Sequence, residues 1–310
     1  MNARIRIGIS SCLFGEPVRY DGGHKRDAYV ARTLVRHFEL VPVCPEVGIG
    51  MGVPRAPIQL VGRAGALRAV GRADAALDVT AELAAYGRRM ACALDDVSGY
   101  VFKSRSPSCG VAGVPVYGGT RTDPGRGIYA DAFLAAHPYL PAAEEGALPD
   151  VHARDSFLER VFAYRRWQQL LARGITAARL EEFHAAHELM LMAHRPRAVS
   201  ELGRIVARAG RGRASRVAPE YLGGFMRALS VPVTPARHEN ALRHAMGFLR
   251  RELDRDEQAE LLAAIRRVRR GAPAPAFALL RRHFRRHPHP EIARQRYLYP
   301  EPLERRVRRL

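Results

Sequence analysis

Cysteines 12, 44 and 109 each stand just behind a short apolar run, and that shared setting is the first chemical signal in the chain. Cys12 follows residues 5–9 within Ser-Ser-Cys-Leu-Phe-Gly. Cys44 follows Leu40-Val41-Pro42-Val43 and opens Cys-Pro-Glu. Cys109 closes Lys103-Ser104-Arg105-Ser106-Pro107-Ser108-Cys109-Gly110, behind the apolar residues 99–102. Runs of that length read as strands, and in an open α/β sheet ligands bind at the carboxyl ends of the strands. Three thiols remote in sequence are therefore expected at one edge of one sheet. Thiolates are soft ligands suited to zinc, copper(I) or iron–sulfur clusters. A structural zinc site takes four ligands at short paired spacings, yet the chain has no Cys-x-x-Cys, and it lacks the CxxxCxxC of radical enzymes. Three cysteines suit a [4Fe-4S] cluster with one iron open to a substrate atom; a set of unrelated buried thiols is the alternative. The fourth cysteine, Cys92 in Met-Ala-Cys-Ala-Leu, reads as a core residue of a long helix.

The elements that must position these groups follow from periodicity. Residues 4–10 alternate Ile with Arg or Gly, a first strand. Tyr29, Val30, Leu34, Val35 and Phe38 give residues 25–38 helical spacing, and residues 40–43 form the next strand. Strand–helix–strand order implies a parallel pair. Residues 48–61, rich in Gly and Pro, read as an ordered loop across the sheet edge. Asp78 caps a helix to about Leu94, with Leu83, Tyr86, Met90 and Leu94 facing inward. Residues 99–102 are a strand, 111–117 a strand or flap, and 129–136 a short helix. Beyond Asp150 only helical patterns remain, over 154–171, 176–193, 197–209, 219–229, 235–250, 254–270 and 275–283. The predicted fold is an α/β N-terminal domain, a mainly parallel sheet with helices (residues 1–150), followed by an all-α C-terminal domain (residues 151–310). His184, His187 and His194 sit beside Leu and Met on one helix and read as buried structural groups, with Trp167 and Phe183 in the core. The basic tail 294–310 is expected to return to the sheet domain or to stay mobile.

Composition narrows the class. A hydrophobic content of 47% with 26% charged residues is that of a soluble globular protein. No run approaches the roughly 18 apolar residues of a membrane span, and no apolar signal core opens the chain, so the cytoplasm is the expected compartment. There, four cysteines point to metal, catalysis or burial rather than disulfides. The net charge of +19 is segregated: residues 151–310 hold 33 Arg against 16 Asp and Glu, hence +17, which leaves +2 for the first 150. Lys25 and Lys103 are the only lysines. A basic domain beside a near-neutral one fits a polyanion, with nucleic acid the usual case. Gly125-Arg126-Gly127 is too short for a nucleotide-binding fingerprint, and the oligomeric state stays open.

Taken as a set, Ser11-Cys12-Leu13-Phe14-Gly15, Arg19-Tyr20-Asp21-Gly22, Cys44-Pro45-Glu46 and Lys103-Ser104 through Cys109-Gly110 resemble the TudS-type thiouracil desulfidases over about residues 4–150. The helical half resembles the domain fused to it in the RudS form, the proposed tRNA 4-thiouridine desulfidases. That likeness rests on Leu189-Met190-Leu191-Met192-Ala193-His194, His238-Glu239-Asn240 with His244, and Arg296-Tyr297-Leu298. His187-Glu188 and Ala236-Arg237 depart from the lysines and aromatics of that pattern.

The resemblance implies Cys12, Cys44 and Cys109 as ligands of a [4Fe-4S] cluster, Glu46 as acid/base, Ser104 as a second polar participant, and tRNA as the partner of the helical domain. A thiocarbonyl carbon becomes electrophilic when its sulfur meets a Lewis-acidic iron. Water activated by a carboxylate can then add, and the sulfur finally leaves as hydrosulfide. Glu46, two residues from Cys44, has the reach that a general base needs. Ser106 and Ser108 are expected to bond backbone or cluster sulfurs; Arg19, Tyr20 and Asp21 shape the pocket or form a turn. Arg266-Arg267, Arg269-Arg270, Arg281-Arg282, Arg285-Arg286 and Arg305 to Arg309 are candidate phosphate contacts. The expected function is an iron–sulfur-dependent desulfidase converting 4-thiouridine in tRNA to uridine. The alternatives are an enzyme on free thiouracil or thionucleosides, and a non-catalytic RNA-binding protein with a structural metal.

Overall fold

A computed structural model describes residues 4–63, 65–118, 125–210 and 212–308. The chain divides into two compact units, Met1–Phe157 and Leu158–Leu310.

The first unit is α/β. Its strands are β1 (Arg6–Ser10), β2 (Glu39–Val43), β3 (Ile58–Arg63), β4 (Ala66–Gly71), β5 (Tyr100–Phe102), β6 (Val116–Tyr117) and β7 (Ala142–Glu144). A four-stranded sheet in the order β2-β1-β5-β7 is parallel throughout. Ile7 and Ile9 of its central strand are fully buried. Gly8, between them, pairs with Tyr100, and a Cβ on Gly8 would lie 2.3 Å from the Tyr100 ring. That space lets the ring lie flat on the sheet, where it stacks on Phe102 at 3.9 Å and meets Phe133 edge-on at 5.2 Å.

Residues 58–61, expected as loop, belong instead to β3 of a second sheet, ordered β4-β3-β6. Ile58 and Leu60 are buried while Gln59 and Val61 are half-exposed, the period of two that marks a strand. This sheet packs against Val79, Leu83 and Val114.

Helices of this unit are α1 (Ser11–Phe14), α2 (Val35–His37, preceded by a π turn Val30–Leu34), α3 (Pro45–Gly48), α4 (Thr80–Ala93) and α5 (Ile128–Ala136). The helix expected from residue 25 starts only beyond Asp27, whose Oδ1 accepts the Val30 N–H at 2.9 Å, so Lys25 stays outside it. The N-cap of α4 is Val79, without a side-chain cap, rather than Asp78; Asp78 stands one residue earlier, and its Oδ1 accepts the Thr80 N–H at 3.0 Å. The buried face of α4 carries Leu83, Gly87 and Ala91. Cys92, one residue past Ala91, is turned about 100° from that face; it is exposed, and the core assignment for it is wrong.

The division between units falls within α6 (Val151–Ala172). There follow α7 (Ala177–His194), α8 (Arg197–Ala207), α9 (Ala214–Leu229), α10 (Pro235–Gly247), α11 (Arg255–Arg267), α12 (Ala274–Arg286), α13 (Pro290–Ala293) and α14 (Pro302–Arg308). Expected to begin at Pro219, α9 starts earlier, because Ala214 and Ala218 share its buried face. No described helix is long and apolar enough to cross a membrane.

Helix α7 is buried on most sides, and its histidines are structural: His187 Nε2 accepts from Arg166 Nε at 3.0 Å, and His194 Nε2 meets Glu159 at 2.9 Å. Through residue 308 the tail is tied into its own unit. Fully buried Glu304 pairs with Arg166 at 2.8 Å and Arg308 at 2.9 Å, and the Gln295 amide bonds Leu189 N and Ala185 O of α7. Arg309, one of the candidate phosphate contacts, lies outside the described residues.

Burial works to raise the Glu159 carboxyl, but Arg308 at 3.0 Å and His194 outweigh it and hold it below the usual range. Its contribution to stability is therefore fully present above about pH 4.3 and is lost as pH falls through the lower folded value. Glu159→Gln should cost about 3–5 kcal/mol in urea unfolding at neutral pH, because it strands buried positive charge. The gap between wild type and variant should narrow in acid.

Candidate active site

Because β2, β1, β5 and β7 run parallel, their carboxyl ends lie on one edge, and a chemically active side chain follows each within two residues. Cys12 follows β1, Cys44 follows β2, Lys103 and Ser104 follow β5, and Glu145 follows β7. A cavity of about 310 Å³ opens there, lined by Cys12, Cys44, Glu46, Lys103, Ser104 and Cys109. All five residues singled out for cluster binding and catalysis, Cys12, Cys44, Cys109, Glu46 and Ser104, thus meet in one place.

Cys109 comes from a loop, and α5 holds that loop. The first N–H groups of a helix have no partner inside it. Here Gly127 N donates to Gly110 O at 2.8 Å, Ile128 N to Pro107 O at 3.0 Å and Ala130 N to Ser108 O at 3.0 Å. A Cβ on Gly127 would stand 2.5 Å from the Ser108 carbonyl, so the approach requires glycine. Ser106 Oγ accepts from Cys109 N at 3.1 Å, as expected of a loop hydroxyl. Arg105, next to Ser104, adopts φ +55°, a left-handed conformation uncommon outside glycine.

Burial raises all three thiols. Cys12 is pushed up to about 11 by burial and then by Cys44; Cys44 is raised by burial; Cys109, fully enclosed, is raised well above the ordinary range. Thiolates gathered in such a place need positive charge, and the donor set is one that iron–sulfur clusters use. Among the described residues no three His, Cys, Asp or Glu side chains are grouped to hold a single metal ion. Cys12, Cys44 and Cys109 nonetheless line one cavity, and thiolates are the donors that iron–sulfur clusters take.

Glu46 is held at both oxygens. Ser108 Oγ donates to Oε1 at 2.8 Å, and Arg55 Nε donates to Oε2 at 2.8 Å. Ser108 was expected on backbone or sulfur; it bonds the carboxylate instead. The Arg55 guanidinium, 4% exposed, also donates to Val18 O and Gly52 O and lies 4.0 Å from Cys44 Sγ. Ser104 Oγ donates to Glu145 Oε1 at 2.7 Å. Burial acts to raise the Glu145 carboxyl, and the Lys103 ammonium with two donors from Ser104 outweighs it, leaving the group below the usual carboxylate range. Neither Arg55 nor Glu145 carries a sequence signal: Arg55 lies among the glycines and prolines of 48–61, and 142–144 has no apolar strand pattern. Asp21 forms a turn, accepting from Gly23 N at 3.0 Å, while Arg19 and Tyr20 line the cavity.

Charge around the cavity is one-sided. Arg19, Lys25, Arg55, Arg72, Lys103 and Arg105 line it, against Glu46 as the only acid among the lining residues. Lys25, Arg72 and Arg105 are exposed and have no carboxylate partner among the described residues. In the second unit several candidate arginines are engaged: Arg269 with Glu239, Arg282 with Glu260, Arg286 with Glu257, and Arg281 with Leu298 O. Arg266, Arg267, Arg270, Arg285, Arg305 and Arg306 are exposed without a carboxylate partner among the described residues.

Gly127→Ala tests the link between α5 and the cysteine loop. It should cost about 1–3 kcal/mol by overpacking and displace Cys109. Iron bound per chain after anaerobic reconstitution should fall sharply, while circular dichroism keeps the wild-type fold.

Comparison with known proteins bears on this site. Residues 7–145 match the family model of 2-thiouracil desulfurase, and residues 188–302 match a family described as a protein of unknown function, DUF1722. The uncharacterized protein YbbK of Bacillus subtilis (strain 168) is 33% identical over 115 residues, which are 34% of this chain and 72% of YbbK. The solved structure of a [4Fe-4S]-dependent thiouracil desulfidase, TudS, is 31% identical, with 47% of this chain and 95% of that one covered and a TM-score of 0.39. Through the unit that bears the three cysteines, the chain belongs to the 2-thiouracil desulfurase family.

Proposed function

We propose that the first unit hydrolyses the thiocarbonyl of 4-thiouridine in tRNA, giving uridine and hydrosulfide, and that the basic helical unit holds the tRNA. The observation that carries this reading is the cavity itself: three thiols and a carboxylate line it, together with the exposed cations Lys25, Arg72 and Arg105, which form no ion pair within 4 Å among the described residues. A free thiobase brings no phosphate for such cations to hold. A nucleotide within RNA does, and contacts to phosphates set orientation. The match of residues 7–145 to the 2-thiouracil desulfurase family model supports the chemistry.

Cys12, Cys44 and Cys109 would hold a [4Fe-4S] cluster, which supplies an open Lewis-acidic iron for the thiocarbonyl sulfur. Glu46 takes a proton from the water that adds to C4. Its Oε2 is occupied by Arg55, so the accepting atom is Oε1, which it shares with Ser108. One water is consumed: its oxygen remains on carbon, and its protons leave with the sulfur. The target base must leave its stack at a cost of roughly a few kcal/mol, which phosphate contacts offset. A cluster with an open iron calls for a reducing compartment, and we place the reaction in the cytoplasm.

The decisive experiment is anaerobic reconstitution followed by incubation with bulk bacterial tRNA. Near-ultraviolet absorbance of 4-thiouridine should disappear, with uridine appearing by mass spectrometry, only when iron is bound. Faster turnover of free thiouracil would overturn the RNA part of the reading, and zinc in place of iron would overturn the chemistry. Cys12→Ala should lose iron and turnover together. Glu46→Gln should keep its iron and slow turnover by about 10²–10⁴-fold. Each arginine that contacts a phosphate should add about 0.7–0.9 to the slope of log affinity against log salt, so removing Arg266, Arg267 and Arg270 together should flatten that slope measurably.

A further inference from the structure

Ser104 is held in an unusual way for a serine that lines a cavity. Its hydroxyl donates to Glu145 Oε1 at 2.7 Å and accepts from Lys103 Nζ at 3.0 Å, while its backbone N–H donates to Glu145 Oε2 at 2.7 Å. One carboxylate thus grips the residue at two points. Lys103 has three ammonium hydrogens, and three acceptors surround it: Ser104 O at 2.9 Å, Ser104 Oγ and Glu145. Ser104 and Lys103 line the cavity, and Glu145 does not.

A hydroxyl has one hydrogen and two lone pairs. In Ser104 the hydrogen is committed to Glu145 and one lone pair to Lys103, which leaves one lone pair for whatever occupies the cavity. We infer that Glu145 and Lys103 make Ser104 an obligate hydrogen-bond acceptor, so that the cavity selects thiocarbonyls flanked by a ring N–H and rejects those whose neighbouring nitrogen is alkylated. In 4-thiouracil the N3–H stands beside the C4 thiocarbonyl and is that donor. Ser104 is then the residue that touches substrate, and Glu145 a positioning residue acting through it. This rests on the desulfidase reading for its substrate, but the direction of the Ser104 hydrogen bond is independent of it.

The test compares 4-thiouridine with N3-methyl-4-thiouridine, and uridine with 3-methyluridine, on reconstituted wild-type protein and on Glu145→Gln. An amide cannot accept from Lys103, Ser104 Oγ and Ser104 N together, so the hydroxyl is released to turn toward the cavity. Wild type should prefer the N3–H substrate by ~5–100-fold in kcat/KM, the range for leaving one buried polar group unpaired. Most of that preference should vanish in Glu145→Gln at unchanged iron content. Rejection of mere bulk would survive in both proteins, so equal discrimination in the two overturns the inference, as does none in wild type. If neither thionucleoside is turned over, bulk tRNA tests the desulfidase reading separately. Equilibrium dialysis then decides: wild type that holds uridine no better than 3-methyluridine ends the inference, and tighter binding of uridine that weakens in the variant upholds it.

Discussion

Parallel pairing of four short strands is the constraint on which the rest of the molecule depends. Backbone hydrogen bonds between β1 and its neighbours β2 and β5, and between β5 and β7, force all four carboxyl ends to one edge. Residues separated by 97 positions in sequence, Cys12 and Cys109, line a single cavity. The pairing in turn depends on Gly8, whose missing side chain gives the Tyr100 ring its place on the sheet. Side chains at strand ends are placed by backbone geometry, so little ordering entropy remains to be lost when a ligand enters.

Electrostatics complete the arrangement. Thiols raised by burial, a carboxylate tied to arginine and serine, and a second carboxylate tied to lysine and serine all stand at one edge. Each acid has its own cation and its own hydroxyl: Glu46 has Arg55 and Ser108, Glu145 has Lys103 and Ser104. The two groups differ in what they offer the cavity. Glu46 lines it directly, whereas Glu145 acts from behind a serine. Two carboxylates in distinct settings can serve distinct purposes at the same pH.

Much of this was legible in the sequence, and the parts that were not have physical reasons. Apolar runs ahead of Cys12, Cys44 and Cys109 are visible because β1 and β5 are buried and rich in Ile, Val, Tyr and Phe, and the partly exposed edge strand β2 still carries Leu and two Val. Ala142-Ala143-Glu144 gives no such signal: it is a half-buried edge strand of small residues, which owes its place to pairing with β5. Glu145 was therefore invisible until the sheet was seen. Arg55 was hidden by the glycines and prolines around it. Gly127, dismissed as part of a short glycine pair, proves to be the point where α5 meets the cysteine loop. Cys92 was misplaced because helical period alone does not say which side of a 14-residue helix with a mixed pattern faces inward. In the helical unit the element order was readable from Pro, Gly and capping residues, whereas the attachment of the tail through Glu304 and Gln295 depends on contacts more than 100 residues apart.

All but two of the 50 basic side chains in this protein are guanidinium groups, and the two ammonium groups, Lys25 and Lys103, line the same cavity. Chemistry that discriminates a primary amine from a guanidinium therefore sees, apart from the α-amino group, this cavity alone. Lys25 is exposed at its mouth, while Lys103 is half-buried and tied down by three acceptors, so the two differ sharply in nucleophilicity. An acylating reagent applied briefly would mark the mouth and leave the interior intact. The composition of the whole chain has thus gathered both of its lysines at one small cavity, a handle for a probe or tether there.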